Sequence, residues 1–232
     1  MKKLFIIKIL IIAICVMGAY GCSMVTKRNN TDNNDTVIYE LKEYFEYKYN
    51  TTDYSFVAFR ESGWDSAYDT LVLKTNIDGK DYNFEVLRYS ENNEVKYKDN
   101  YYGLLIKKQY EEMLDNYIED YFETFHVSSS TISIFYPDNL DENSDVNELL
   151  SIKNDVKGRI ATVVVIKEST DNAEDFELKA KNCCEFLNDK CLDTLWHFIC
   201  VTEETYNDMC INGFENATGL TTETGKIAEL VY

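Results

Sequence analysis

The sequence predicts an α+β protein, in which a helix plus an antiparallel sheet is followed by a second small α/β sandwich. Three observations favour this class. Strand-like runs joined by a hairpin signal occupy the first half, a long amphipathic helix follows them, and the second half alternates strand-like with helix-like runs. Such elements bury their apolar faces by packing in layers. The predicted domains are residues 37–125 and 126–232.

The first predicted domain begins with a helix over 37–49, where apolar residues recur at helical spacing. Strand-like runs then occupy residues 54–60, 68–75, 82–89 and 95–97. Asp78-Gly79 lies between the second and third runs, and Asp-Gly between β-rich runs is typical of a tight hairpin. Residues 104–125 close the domain as an amphipathic helix, with apolar residues at steps of three and four and acidic residues opposite.

The second half changes its pattern. Its predicted elements are strands over 131–136, 160–167, 195–202 and 227–232, and helices over 146–154, 172–189 and 203–209. Asp145 and Glu148 stand where a cap pair begins a helix. The β-branched run at 160–167 is typical of a strand that is buried on both faces. This alternation favours a small α/β sandwich that begins near His126.

The first residues are typical of an export signal. A basic start at residues 1–3 precedes an apolar stretch from Leu4 to Met17, interrupted only by Lys8, and small residues other than Tyr20 lead to Cys22. These three features make a secretory signal. An uncleaved membrane anchor is the alternative. It is less favoured because a spanning helix needs about 20 apolar residues, and the run after Lys8 is shorter.

The segment Ala19-Tyr20-Gly21-Cys22 resembles the lipobox of bacterial lipoproteins. The resemblance implies cleavage before Cys22, lipid on its sulfur, and an anchored protein on the outer face of the cytoplasmic membrane, facing the cell exterior. The family prefers Leu and a small residue where this chain has Ala19 and Tyr20. Because the segment also fits an ordinary signal peptidase site, a secreted factor without lipid stays an alternative. Residues 1–21 are then the signal peptide, and the polar residues 22–36 a flexible tether.

The layout of residues 37–125 resembles small cystatin-like or PepSY-like domains in lipoproteins of Gram-positive bacteria. The segment from Asp99 to Leu104, which leads into the long helix, carries this resemblance. It covers about half of the mature chain. The resemblance implies a binding or accessory role rather than catalysis, and it assigns no site residues.

Charge excludes one class of partner. The chain has 23 basic and 41 acidic residues and a net charge of −18, and removal of residues 1–21 lowers the net charge to −21. Nucleic-acid binders need a basic footprint to neutralise phosphates. We therefore expect no nucleic-acid partner. The same charge disfavours a folded part that lies flat on anionic lipid.

Neither of the two histidines indicates a catalytic site. His126 precedes Ser128 to Ser130, but the strained G-x-S-x-G turn of a hydrolase is missing, so we interpret His126 as part of a polar loop. His197 is interpreted as a buried, hydrogen-bonded residue of a strand. The H-E-x-x-H spacing of zinc peptidases is also missing. No catalytic or cofactor-binding residue is predicted.

The sequence patterns for a metal site and for a disulfide framework are also incomplete. Asp141-x-Asn143-x-Asp145 matches the start of a calcium loop, but Val146 and Ile152 stand where Gly and Glu are needed. After Cys22 the cysteines are Cys183, Cys184, Cys191, Cys200 and Cys210. These five cannot all pair within one chain, and none has the spacing of a zinc site. We predict no metal site and expect Cys183 and Cys184 to line the core as small hydrophobes.

The leading hypothesis is a membrane-anchored surface lipoprotein that serves as a binding or accessory module in the cell envelope. The membrane, through lipid on Cys22, and another envelope protein or an extracellular ligand are the expected partners. The alternatives are a carboxylate-dependent envelope hydrolase and a secreted factor. A hydrolase of glycosidic bonds needs two carboxyl groups about 5–9 Å apart across a cleft, so a concave pocket with convergent acids would favour it.

Overall fold

The computed structural model describes residues 31–64, 67–168 and 173–232. The predicted signal peptide, the lipobox-like segment and Cys22 lie outside this part of the chain. The described residues form a mixed α+β structure with two four-stranded sheets and five α-helices, which confirms the predicted fold class. By its contacts the chain divides into two units, residues 1–43 and 44–232. Both sheets belong to the second unit, and the domain boundary near His126 stays a prediction.

Helix α1 spans Thr31–Tyr49 and crosses the limit between the two units. It begins before the predicted start at Val37, so the end of the predicted tether is helical. In the second unit, Phe45 is fully buried and its ring centroid lies 5.6 Å from that of Phe84 in the first sheet. The apolar spacing of the sequence therefore identifies the packed face of α1, although not its first turn.

The first sheet is antiparallel and has the order β1-β2-β3-β4. Its strands are β1 (Ser55–Arg60), β2 (Asp69–Ile77), β3 (Lys80–Glu91) and β4 (Glu94–Asp99). Asp78 and Gly79 form the turn between β2 and β3 with φ angles of 53° and 80°, which confirms the predicted hairpin. Asn92 and Asn93 form the next turn with φ angles of 53° and 65°. Positive φ at both central residues is the turn geometry that matches strand twist.

Helix α2 spans Tyr102–Ile118 and is shorter than the predicted helix over 104–125. After Ile118 the chain turns, and Phe125–Ser129 forms strand β5. Phe122 in this turn is still buried, with its ring centroid 6.2 Å from that of Phe198. The apolar residues of this turn are also spaced by three and four positions. The sequence pattern therefore continues past the end of the helix at Ile118.

The second sheet has the order β5-β6-β7-β8. Its other strands are β6 (Ile160–Lys167), β7 (Thr194–Val201) and β8 (Lys226–Val231), and the remaining helices are α3 (Val146–Ser151), α4 (Ala173–Lys190) and α5 (Glu203–Asn212). Strands β6 and β7 are parallel and are connected through α4, whereas the outer pairs are antiparallel. A parallel pair needs such a crossover connection. The predicted sandwich is therefore present, and β8 is the edge strand expected at the C-terminal end.

The strand predicted over 131–136 is wrong. Thr131–Ser133 forms a 3₁₀ turn, and β5 takes the place beside β6. Thr131 is fully buried, its hydroxyl donates to the carbonyl of Gly103 at 2.6 Å, and its own carbonyl accepts from the Tyr136 hydroxyl at 2.7 Å. These bonds to α2 and to the following segment occupy groups that a strand would use for a ladder.

The buried carboxylate of Asp99 connects α1 to the end of β4. It is fully buried and accepts hydrogen bonds from Tyr44 Oη at 2.5 Å, Lys48 Nζ at 3.0 Å and Tyr49 Oη at 2.7 Å, and from the Tyr101 N–H at 2.9 Å. Burial raises the pKa of both tyrosines, and the negative Asp99 adds to this. A buried charge is tolerated when its partners satisfy it in this way.

Asn100 and Gly103, in the segment that follows Asp99, extend this junction. Asn100 accepts from the Glu85 N–H on β3 at 2.7 Å and donates to the carbonyl of Ile132 at 2.7 Å. At Gly103, any side chain would meet backbone, since a Cβ would lie 2.5 Å from the Thr131 carbonyl oxygen. The segment from Asp99 to Gly103 thus joins α1, the first sheet and the turn beside the second sheet.

Replacing Asp99 by Asn should destabilise the protein by about 3–5 kcal/mol, because the ammonium of Lys48 then stays buried without an opposite charge. Urea unfolding followed by circular dichroism measures this change. Asp81→Asn is the matched control, since Asp81 pairs with Lys74 on the exposed side of the same sheet, and its midpoint should stay at the wild-type value. Equal midpoints for the two variants would contradict the role given to Asp99.

Candidate functional site

A groove of about 730 Å³ opens beside helix α5 and is closed on its other side by the loop that leads to β8. We call it the α5 groove. Its lining residues are Thr202, Glu204, Thr205, Asp208, Met209, Asn212, Gly213, Asn216, Leu220, Thr222, Glu223, Thr224 and Gly225. The groove is therefore polar on two walls, one helical and one formed by a loop.

Hydroxyl groups hold the loop wall against the helix. Thr202 is the N-cap of α5, where its side chain accepts from the Thr205 N–H at 3.2 Å and donates to Thr205 Oγ1 at 2.9 Å. Thr205 Oγ1 donates in turn to the Thr224 carbonyl at 3.3 Å. Within the loop, Thr221 and Thr224 form a capping box. Ser and Thr favour helix caps, so Thr202 and Thr221 each fix the local backbone at which a wall of the groove begins.

Gly225 allows the loop to approach the helix closely. Its φ is +90°, and a Cβ there would collide with the side-chain oxygen of Thr205. The backbone N–H of Thr202 donates to the Gly225 carbonyl at 2.9 Å. The shape of the groove therefore depends on a residue without a side chain.

Three carboxylates give the groove a negative charge. Glu204 and Asp208 lie one turn apart on α5, and Glu223 lies on the loop wall. The lining residues, all of them within the described chain, include no Lys, Arg or His. Among the described residues no ion pair involves these three acids, although Asp208 accepts from the Asn212 side-chain amide at 2.8 Å. The groove thus disfavours anionic ligands.

The floor of the groove is fixed by the core. Met209 is buried, and it packs with Tyr206 and Ala217 on Ile199 and Val201 of the second sheet. Leu220 is partly buried against the same cluster. Since α5 carries both the floor and one wall, packing of its apolar side orients its acidic side towards the groove.

His126 lies in strand β5, so its assignment to a loop is wrong. Its ring stacks on Phe214, with centroids 3.9 Å apart and an interplanar angle of 21°. Burial lowers the pKa of His126, while Glu111 and Asp115 oppose this shift. The nearby Ser129 is buried, and its Oγ is hydrogen-bonded to Thr162 Oγ1 at 2.9 Å. We interpret His126 as a support for the loop that continues from Gly213 along the groove.

The other histidine behaves partly as expected. His197 lies on β7 and shares a hydrogen bond with the carboxylate of Glu229 on β8, which also pairs with Lys226. Its side chain is 17% exposed, so it is hydrogen-bonded but not fully buried. This partly buried pair links β7 to the edge strand β8, and neither residue lines the groove.

The carboxylates of the segment that resembles a calcium loop accept hydrogen bonds from backbone N–H groups close by in the sequence. Asp141 accepts from the Asn143 N–H at 2.8 Å, and Asp145 caps α3 by accepting from the N–H groups of Asn147 and Glu148. The predicted cap of this helix is therefore confirmed for Asp145. In the described ranges no group of three or more His, Cys, Asp or Glu side chains is arranged to hold a metal ion.

Four of the five described cysteines are buried, and all five are free thiols. Cys183 and Cys184 lie on the inner face of α4, as predicted. Burial raises the pKa of Cys183 and Cys191 to about 12 and that of Cys200 to about 11. Thiols with such pKa values are inert as nucleophiles. Cys210 on α5 is the exposed member of the set.

Comparison of the chain with protein-family models, with curated proteins and with solved structures finds no match. Within residues 31–64, 67–168 and 173–232, no helix combines the length and apolar character that crossing a membrane requires. The candidate site therefore rests on geometry and chemistry alone. The sequence did not single out any groove residue, because Thr, Asn and Gly between two elements are also the ordinary composition of a loop.

Replacing Gly225 by Ala should deform the α5 groove and destabilise the protein by about 1–3 kcal/mol. An alanine disfavours the φ of +90° at this position, and its Cβ would collide with Thr205. Gly219→Ala is the control, since a Cβ at Gly219 meets no atom within 4 Å, and it should change stability by less than about 0.5 kcal/mol. Thermal unfolding measures both variants. A Gly225→Ala protein as stable as the control would contradict the close approach described above.

Proposed function

We propose that this chain is a membrane-anchored surface lipoprotein that binds a ligand in the α5 groove. The groove is the observation that supports binding. Its volume of about 730 Å³ lies within the range of small-ligand sites, and polar side chains converge on it from two walls above a buried apolar floor. The lipobox-like segment from Ala19 to Cys22 supports export and lipid attachment.

In this proposal the lipid on Cys22 holds the protein at the outer face of the cytoplasmic membrane. Helix α1 begins at Thr31, so the chain from the lipid to the helix spans at most about 32 Å at 3.3–3.6 Å per residue. Such a short tether keeps the protein near the membrane and raises its effective concentration towards partners there. Stable anchoring needs two or more acyl chains, which the lipoprotein family supplies.

Charge restricts the ligand and the partner. The mature chain would carry a net charge of −21, and three of its carboxylates line the groove, where the lining residues include no cation. Nucleic acids and other polyanions are therefore disfavoured. An envelope protein or a small extracellular ligand without negative charge fits this surface.

A second candidate function is a carboxylate-dependent envelope hydrolase. The observation that favours it is the position of the acids, with Glu204 and Asp208 on the helical wall and Glu223 on the loop wall. Hydrolysis of a glycosidic bond uses two such carboxyl groups, and one of them must hold a proton through a raised pKa. The side chains of all three acids are exposed to solvent. Binding is the function that we put first.

Lipid attachment predicts the number of free thiols. The full chain has seven cysteines. After reduction and denaturation, a lipoprotein cut before Cys22 should show five, because Cys15 is removed and the Cys22 sulfur carries lipid. A secreted factor would show six, and an uncut chain seven. Cys22→Ser should abolish processing and lipid labelling. A Cys22→Ser protein that is processed and membrane-bound like wild type would contradict the proposal.

Turnover separates the hydrolase from the binding module. A binding module should leave neutral glycans intact after prolonged incubation, and its Glu223→Gln variant should behave identically in this assay. The hydrolase would be established if the wild type releases product and Glu223→Gln or Asp208→Asn lowers the rate of release at least a hundredfold. The control Glu123→Gln, on the surface after α2, should then release product like wild type. Reducing-end analysis by mass spectrometry measures the products.

A further inference from the structure

The hydrogen-bonding groups of the α5 groove divide into those used within the protein and those left for a ligand. Thr202, Thr205 and Thr224 donate to one another or to backbone carbonyls. In the described chain, Asn216 and Thr222 have no side-chain hydrogen bond. A ligand can therefore use one side-chain amide and one hydroxyl as donors, in addition to carboxylate acceptors.

We propose that the α5 groove takes a neutral saccharide. This inference rests on the proposed binding function and names the ligand class of the same site. A saccharide hydroxyl both donates and accepts, so it satisfies carboxylates such as Glu204 and Glu223 and also the free donors of Asn216 and Thr222.

Other ligand classes match this lining less well. A phosphate or carboxylate ligand would face three acids with no cation among the lining residues. An alkyl ammonium would satisfy the acids, but it has only donors and would offer no acceptor to the N–H groups of Asn216 or to the O–H of Thr222. A wholly apolar ligand would give no partner to Glu204, Glu223, Asn216 and Thr222, and removing each of these groups from water without a partner costs free energy.

The floor supports the same class. Met209 and Leu220 supply an apolar surface between the polar walls. A sugar ring has C–H groups on its faces and hydroxyl groups around its edge, so a ring can cover the floor while its edge meets both walls. The helical wall carries Asp208, whose Oδ1 is held by Asn212 and whose second oxygen is left to accept.

The test uses the mature, detergent-solubilised full chain and three neutral probes, chitotriose, cellotriose and maltotriose, with spermidine as the cationic comparison. Isothermal titration calorimetry and saturation-transfer NMR measure binding. We expect at least one of the oligosaccharides to bind, with an affinity that does not change between 50 and 500 mM NaCl. The variants Glu223→Gln and Asn216→Ala should each weaken this binding by about tenfold or more.

Matched controls carry the same chemical changes outside the groove. Glu123→Gln and Asn154→Ala both alter exposed side chains and should bind the oligosaccharide like wild type. Binding that all four variants keep would overturn the assignment to the groove. Because Asn216 makes no side-chain cap bond, loss of binding in Asn216→Ala with unchanged thermal unfolding supports a contact with ligand.

The remaining outcomes separate this inference from the proposed function. Suppose that spermidine binds, that its affinity falls with salt and in Glu223→Gln, and that no oligosaccharide binds. The saccharide inference is then overturned, and the binding function of the groove stands. If neither probe class nor a solubilised envelope fraction shows binding that depends on Glu223 or Asn216, both the inference and the binding function of the groove are overturned.

Discussion

The buried charge of Asp99 is the constraint on which the rest of the structure depends. An ionised carboxylate away from water is tolerated only if donors surround it, and here the donors come from α1 and from the chain just after β4. Two of these donors are tyrosines and one is the equally buried Lys48. The network therefore fixes the register of residues 44–49, the last turns of α1, on the first sheet, which apolar packing alone would leave less specific.

The position of the groove follows from this junction. Asp99 precedes Asn100 and Gly103, which contact the turn at Ile132 and Thr131. Helix α2 starts in the same segment and lies against β5 and this turn. Helix α5 packs its apolar side on Ile199 and Val201 of the second sheet, and its acidic side lines the groove. The groove is therefore built on the same sheet that α2 contacts through β5.

Regular periodicity made most of the fold predictable. Strands β2, β3, β6 and β7, helix α4 and the Asp78-Gly79 turn follow directly from alternation, apolar runs and turn chemistry. The end of α2 and the segment after Ser130 did not follow, because buried residues in turns imitate helical or strand spacing. The groove was not predicted either, since it depends on hydroxyl contacts and on one close approach at Gly225. These are properties of chain segments brought together, which local sequence does not display.

The buried thiols have a consequence for how such a protein matures. Cys183, Cys184, Cys191 and Cys200 fill space as small apolar groups, and the described cysteines form no covalent cross-link. Packing, hydrogen bonds and ion pairs maintain the described part of this fold without a disulfide bond. The described part of the fold therefore needs no disulfide bond, and its folding needs no oxidising catalyst. The same interior would serve equally well in an anaerobic and in an aerated environment.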